Sequence, residues 1–88
     1  MTITPDPVVS GVPYEVREVD GRPPTSPDDF LGSHVVVLAG RTGDHRVEAE
    51  GGRADGVVKL YEKSAVTSKD VRTWTVDAAG DGFTATSA

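Results

Sequence analysis

The sequence predicts a mainly β protein: a small antiparallel barrel or sandwich of five to six short strands, with an extended proline-rich N-terminal arm and at most one short helical turn. All six prolines lie within the first 27 of the 88 residues, and proline excludes helix interiors and central strands. The residues that follow read as short strands separated by closely spaced turn signals. We therefore divide the chain into an arm, residues 1–27, and a small β domain, residues 28–88.

Within the arm, only Val12 to Val19 has the alternation of a strand, with Tyr14 and Val16 on the same side as Val12. The turn dipeptide Asp20-Gly21 ends this segment. The prolines on either side of it favour extended backbone. An arm of this kind is expected to lie on its own body or on a neighbour.

A helical turn is predicted at Ser26-Pro27-Asp28-Asp29. Serine is a favourable N-cap, proline suits the first helical position, and acidic side chains in the first turn complement the helix dipole. Gly32 ends the turn, and we expect Phe30 and Leu31 to plug one end of the β domain.

The most apolar strand, His34 to Ala39, is predicted to open a hairpin around Gly43-Asp44. A two-residue turn there would pair Leu38 with Ala49 and Val36 with Gly51. This register places those pairs on one face and sets Ala39 against Glu48 and Val37 against Glu50 on the other, so that the strand carries apolar side chains on both faces and is expected to be central.

The middle of the chain alternates loops and strands. Gly51 to Gly56 is predicted to be a flexible loop and Val57 to Glu62 a strand. Ser64 to Asp70 is polar and fits either a loop or one helical turn.

The last predicted hairpin joins Val71–Asp77 to Phe83–Ser87 around Gly80-Asp81. Its register matches apolar with apolar and hydroxyl with hydroxyl across the strands. The expected pairs are Ala78 with Phe83, Asp77 with Thr84, Val76 with Ala85, Thr75 with Thr86, and Trp74 with Ser87.

Composition restricts the compartment and the source. The chain has no cysteine, which removes disulfides and points to a reducing compartment. No basic segment followed by an apolar one opens the sequence, and no apolar run is long enough to span a bilayer, so we expect no signal peptide and no membrane partner. Residues with GC-rich codons dominate, which indicates a high-GC bacterium or one of its phages; the expected location is cytoplasmic, or the virion if a phage encodes the protein.

The net charge of −5 is acidic and even along the chain, with about −2 for residues 1–27, −2 for 28–63 and −1 for 64–88. No basic stripe is present to neutralise phosphates. The sequence therefore predicts no nucleic-acid partner.

No catalytic, cofactor-binding or metal-binding residue is predicted. The hairpin register above would separate His34 from His45 by about 26 Å, so they could not share a metal ion. Gly-x-Ser-x-Gly is absent, Asp77 to Gly82 lacks the spacing of a calcium loop, and no Lys-Ser/Thr pair follows the glycines of Gly51-Gly52.

The predicted partner contacts are apolar or aromatic residues of the arm together with one strand tyrosine: Val8, Val9, Val12, Tyr14 and Tyr61. Tyr61 alternates with Lys59 and Lys63 and is expected on a solvent-facing surface.

These features predict a non-enzymatic protein–protein interaction or assembly module whose partner is another copy or a larger assembly. A small β body with an arm is similar in style to phage virion accessory proteins for capsid decoration or head-to-tail joining, an analogy of architecture that no motif supports. Two alternatives stay open. One is a small binding protein of the inhibitor or immunity type, against which the even charge distribution counts; the other is an enzyme accessory subunit.

Overall fold

A computed structural model describes residues 4–88, which form six antiparallel strands and one 3₁₀ turn. The strands follow each other around a closed barrel in chain order, and the last pairs with the first. Their bounds are β1 Pro13–Val19, β2 Gly32–Leu38, β3 His45–Ala54, β4 Val57–Lys63, β5 Asp70–Ala79 and β6 Gly82–Ser87, with the 3₁₀ turn at Pro27–Phe30. The predicted mainly β fold with a single short helical turn is confirmed.

The barrel begins at Pro13, inside the segment assigned to the arm. Residues Pro13 to Glu15 of β1 pair with β6, whereas Val16 to Val19 pair with β2. A bulge between Val16 and Glu18 changes the phase of the strand, so that both Val16 and Val19 are buried. The boundary drawn at residue 27 therefore does not separate an arm from a body. Of the described part of the predicted arm, residues 4–12 precede the first strand of the barrel. Met1 to Ile3 lie outside the described residues.

Inward-facing side chains of all six strands form one core around Trp74, which is fully buried. Small and large inward-facing side chains alternate along the strands, as a narrow barrel requires. The buried apolar residues are Val16, Val19, Phe30, Val36, Leu38, Val47, Ala49, Val58, Leu60, Trp74, Val76, Phe83 and Ala85.

The predicted helical turn is present and closes one end of the barrel. The Ser26 side chain accepts from the backbone N–H of Asp28, and the Asp29 carboxylate accepts from the backbone N–H of Ser26, which together form a capping box. The turn delivers Phe30 into the barrel, where it is fully buried and meets Phe83 edge to face at a centroid distance of 5.3 Å.

The glycines of the predicted loop belong instead to β3, which continues to Ala54. The chain reverses at Asp55-Gly56, whose φ angles of 54° and 78° form a two-residue turn. Gly51 has strand partners on both sides, and glycine is required there because the Phe30 backbone rests on it: a Cβ would come within 1.7 Å of the Phe30 carbonyl oxygen. The sequence shows the glycine but not the segment that approaches it.

The predicted register of the β2–β3 hairpin is wrong by four residues. Leu38 pairs with His45 and Val36 with Val47, and residues 39–44 form a longer loop in place of a two-residue turn. The Asp44 carboxylate accepts a hydrogen bond from the Arg17 side chain of β1 at 3.0 Å. Asp44 is therefore not part of a two-residue turn. Because side chains alternate between the two faces of a strand, a register shift of four residues, an even number, leaves each side chain on its predicted face.

The β5–β6 hairpin has the predicted register at every expected pair, from Ala78 with Phe83 to Trp74 with Ser87. Residues 64–69, which the sequence left open, form a loop without helix. Its backbone is closed by hydrogen bonds from the Ser64 N–H to the Lys69 carbonyl at 2.8 Å and from the Ser68 N–H to the Ser64 carbonyl at 2.9 Å.

Gly51→Ala should destabilise the barrel by about 2 kcal/mol or more, because the new methyl group must displace the Phe30 backbone or β3. The neighbouring Gly52→Ala is the matched control, since a Cβ there meets no atom within 4 Å; it should change the free energy of unfolding by about 0.5 kcal/mol or less. Urea unfolding measures both. Equal destabilisation by the two variants would contradict the close approach of the Phe30 backbone to Gly51.

Candidate functional site

The barrel has two ends with different loops, because antiparallel strands in chain order place successive connections at opposite ends. We call the end with residues 4–12, 39–44 and 64–69 and Ala88 the arm end. The end with residues 20–31, 55–56 and 80–81 is the plug end. Within residues 4–88 every strand is paired on both sides, so the barrel offers no open edge for an added strand. A partner must therefore contact the loops, the segment before β1 or the outer faces.

The segment before β1 lies on its own barrel. The backbone N–H of Asp6 donates to the Thr42 hydroxyl at 2.9 Å, and that of Val9 donates to the Tyr14 hydroxyl at 2.9 Å. Gly11 donates to the last residue of β6 at 2.9 Å. These three contacts hold residues 6–11 across the arm end.

Beneath this segment, aromatic and charged side chains fill the mouth of the barrel. Tyr14 meets Trp74 and His45 edge to face at centroid distances of 5.8 and 5.6 Å. The Trp74 indole donates to the Glu62 carboxylate at 2.8 Å. The Arg72 Nε lies 3.1 Å from the same carboxylate without hydrogen-bond geometry, so this contact is ionic. The mouth is thus filled by contacting aromatic and charged side chains, among which the buried Arg72 Nε is left without a hydrogen-bond partner.

Every large apolar side chain that the structure exposes within residues 4–88 lies at the arm end. Val66 is 92% exposed, Val9 55%, Val71 48% and Val12 44%. They follow one arc from the segment before β1, past the ends of β6 and β5, to the loop between β4 and β5. We call these four residues the valine rim. Single exposed valines are ordinary, but their confinement to one end of a small barrel is not.

The predicted partner contacts divide into two groups. Val9 and Val12 belong to the valine rim. Val8 and Tyr14 are partly buried and pack against the barrel's own core, and Tyr61 is half-buried on β4, where it pairs with Glu50 of the neighbouring strand β3.

Sequence reasoning missed Val66 and Val71. Val66 is the one large apolar residue in an otherwise polar loop. Val71 is out of phase with Trp74 and Val76, the inward-facing residues of β5. Both signals were present in the sequence, but only the barrel shows that the two side chains share an end with Val9 and Val12.

At the plug end, His34 contacts both Asp20 and Leu31 and so joins two parts of the β1–β2 connection; we call this arrangement the His34 clamp. Its Nδ1 lies 2.5 Å from the Asp20 carboxylate and its Nε2 lies 2.5 Å from the Leu31 carbonyl. Because both partners are acceptors, both ring nitrogens must carry hydrogen, and the geometry selects the imidazolium. The second oxygen of Asp20 accepts from the Val35 N–H at 2.9 Å.

The contact between His34 and Asp20 shifts the pKa values of the two side chains in opposite directions. The hydrogen bond that His34 donates to Asp20 raises the pKa of His34 above its usual value, although partial burial opposes this. The hydrogen bond from His34, followed by that from the Val35 backbone, lowers the pKa of Asp20. Asp20 adopts a left-handed φ of 52° in a two-residue turn with Gly21, so this clamp also fixes the start of the β1–β2 connection.

The two histidines serve opposite ends. With Leu38 paired to His45, His34 lies four residues along β2, or about 13 Å, from that pair, closer than the predicted register implied. No group of three metal-ligating side chains is arranged to hold an ion within residues 4–88.

Charge is even along the chain but uneven in space. The plug-end loops carry five carboxylates against one guanidinium, a net side-chain charge of −4; these are Asp20, Asp28, Asp29, Asp55 and Asp81 against Arg22. Two strand residues, the His34 imidazolium and Arg53, pair with Asp20 and Asp28 and leave this end with a net of −2 when they are counted. The arm-end loops carry two carboxylates and two cations, Asp6 and Asp44 against Arg41 and Lys69, for a net of zero. Folding therefore creates an acidic end and a neutral, apolar end.

Comparison with protein-family models, curated proteins and solved structures finds no match to this chain. Within residues 4–88 no helix has the length and hydropathy to cross a membrane.

Tyr14→Phe should release the middle of the segment before β1, because it removes the only side-chain hydroxyl that accepts from the Val9 N–H. We expect faster amide exchange at Val9 and a loss of stability of about 1 kcal/mol. Gly11, which donates to a backbone carbonyl, is the internal control and should stay protected. Unchanged exchange at Val9 would show that this hydrogen bond does not hold the segment.

The His34 clamp should make stability fall as the pH rises above neutrality. The pKa of His34 is higher in the folded state than its unfolded value of about 6.5. This difference stabilises the fold at pH values below the unfolded pKa, and the stabilisation disappears as the pH rises through the folded-state pKa. The lowered pKa of Asp20 contributes stability that is lost only on strong acidification, below its usual value of 3.8.

Urea unfolding at pH 6 and pH 9 measures this dependence. Wild type should be less stable at the higher pH, and His34→Gln should lose most of that difference. His45→Gln, which also removes one histidine, should retain it. A wild-type stability that is equal at both pH values would exclude an ionised clamp.

Proposed function

We propose that this chain is a non-enzymatic protein–protein interaction module that binds its protein partner through the arm end. The observation that carries the proposal is the valine rim, which places four exposed apolar side chains on one end and none of comparable size elsewhere in the described chain. Burial of such side chains is the main favourable term in protein association.

The rim is presented on ordered backbone, which favours binding. Val66 stands at the tip of a loop in which the Ser64 hydroxyl accepts from the N–H groups of Val66 and Thr67 at 3.2 and 3.3 Å. Val9 is held by the Tyr14 hydroxyl at the other side of the rim. A surface that is already ordered loses less conformational entropy when a partner docks.

The closed barrel supports contact by side chains and not by strand addition. All six strands are paired, so the barrel has no free edge, and the segment before β1 makes its hydrogen bonds within the chain. The clustered polar groups are likewise engaged with one another: His34 with Asp20, and Glu62 with Trp74 and Arg72. The proposal therefore assigns no catalytic, cofactor or metal role to any residue. Capsid decoration or head-to-tail joining is the setting we propose, by analogy of architecture.

One observation favours a second candidate, an inhibitor or immunity-type protein. The net charge of −4 on the plug-end loops would complement a basic cleft. Part of this charge is already paired, since Asp28 contacts Arg53 and Asp20 contacts His34. In this second function the plug end, and not the valine rim, would meet the partner.

Photo-crosslinking distinguishes the two ends. A benzophenone amino acid replaces Val66 or Val71 at the arm end, and Ala79 at the plug end is the matched control because it is also exposed and lies at a strand terminus. The purified full chain is irradiated in an extract of the cells in which it occurs. We expect adducts of discrete mass from positions 66 and 71 and none from 79. Adducts from 79 alone would favour the acidic-end function, and absence of adducts from 66 and 71 would overturn the proposal.

A further inference from the structure

We infer that the partner of the arm end is a second copy of this chain, docked arm end to arm end about a twofold axis. This inference rests on the proposed function and names its partner. It follows from how folding distributes charge between the two ends, and from the composition of the valine rim and the loops around it.

Net charge alone would oppose self-association, since two copies each carry −5. The location of the charge removes this objection. The plug-end loops hold a net of −4 and the arm-end loops a net of zero. Contact between two plug ends would bring the like charges together, whereas contact between two arm ends keeps them far apart. Even the shortest extent of the molecule, 25 Å, is several times the Debye length of about 8 Å at physiological salt.

The arm end is also complementary to itself. A twofold interface presents the same patch from both sides, so a patch with a single sign of charge repels its copy and a patch with both signs can pair with it. The arm-end loops carry Asp6 and Asp44 against Arg41 and Lys69. The Arg41 side chain is 89% exposed and lies 3.6 Å from Asp6 in a loose ion pair that can be shared across an interface.

A small core adds a reason for the chain to associate with itself. Thirteen apolar side chains are buried in the whole described structure, and domains of this size bury a modest fraction of their surface. Pairing the valine rims buries apolar surface that the monomer leaves in water. A head-to-tail arrangement would instead set the valines against the acidic plug end, where the aspartates of the turns would lose water.

Sedimentation equilibrium of the purified full chain over a range of concentrations tests the inference. At physiological salt we expect a concentration-dependent species of twice the 9.2 kDa chain mass. Val66→Asp combined with Val71→Asp should raise the dissociation constant at least about tenfold. Both positions are exposed, so the fold should tolerate the change, and Val66→Ser with Val71→Thr is a milder second variant that should act in the same direction.

The control is Ala79→Asp, which adds one carboxylate, where the double variant adds two, at an exposed residue of the opposite end and should leave the dimer intact. A monomer at every concentration would overturn the inference, as would open chains longer than two copies or dissociation by Ala79→Asp. The proposed function fails separately: a chain that is monomeric alone but crosslinks a different protein from positions 66 and 71 refutes the twofold pairing and keeps the interaction module.

Discussion

Closure of the barrel by β1 is the constraint on which the rest of the structure depends. The first three residues of this strand pair with β6 and the remainder with β2, and a bulge makes the change of partner possible while two valines stay in the core. Because β1 is anchored on both sides, the segment before it must leave at one end of the barrel. The connection after it must cross the other end, where it supplies Phe30 as a plug.

The two ends are consequently built by different chemistry. At the plug end, a capped 3₁₀ turn, a glycine that admits the Phe30 carbonyl, and the ionic clamp between His34 and Asp20 hold a long connection in one place. At the arm end, hydrogen bonds to loop and barrel groups hold the chain across a mouth filled by Tyr14 and Trp74. The apolar side chains left over at this end have no place in a core that is already full.

This segregation carries the functional argument. A protein whose charge and exposed apolar groups were mixed over its surface would offer no preferred docking face. Here alternating strand directions place the connections that contain Asp55 and Asp81 at one end and the loop that contains Val66 at the other. The barrel thus converts a sequence with even charge into a molecule with one acidic end and one neutral, apolar end. An interaction surface at the arm end, used by two copies of the chain, is the role that we propose for this polarity.

Local patterns in the sequence determined the strand content, the Ser26 cap with its proline and acidic residues, and the β5–β6 register, because each depends on residues close together in the chain. Three features were decided only by the tertiary structure. The β2–β3 hairpin closes through the loop of residues 39–44, in which Asp44 contacts Arg17 of β1, and Gly51 is strand because it pairs with both β2 and β4, with no side chain in the way of the Phe30 carbonyl. Alternating strand directions place Val9, Val12, Val66 and Val71 at one end, and barrel closure sets them side by side there, since β6 returns to β1.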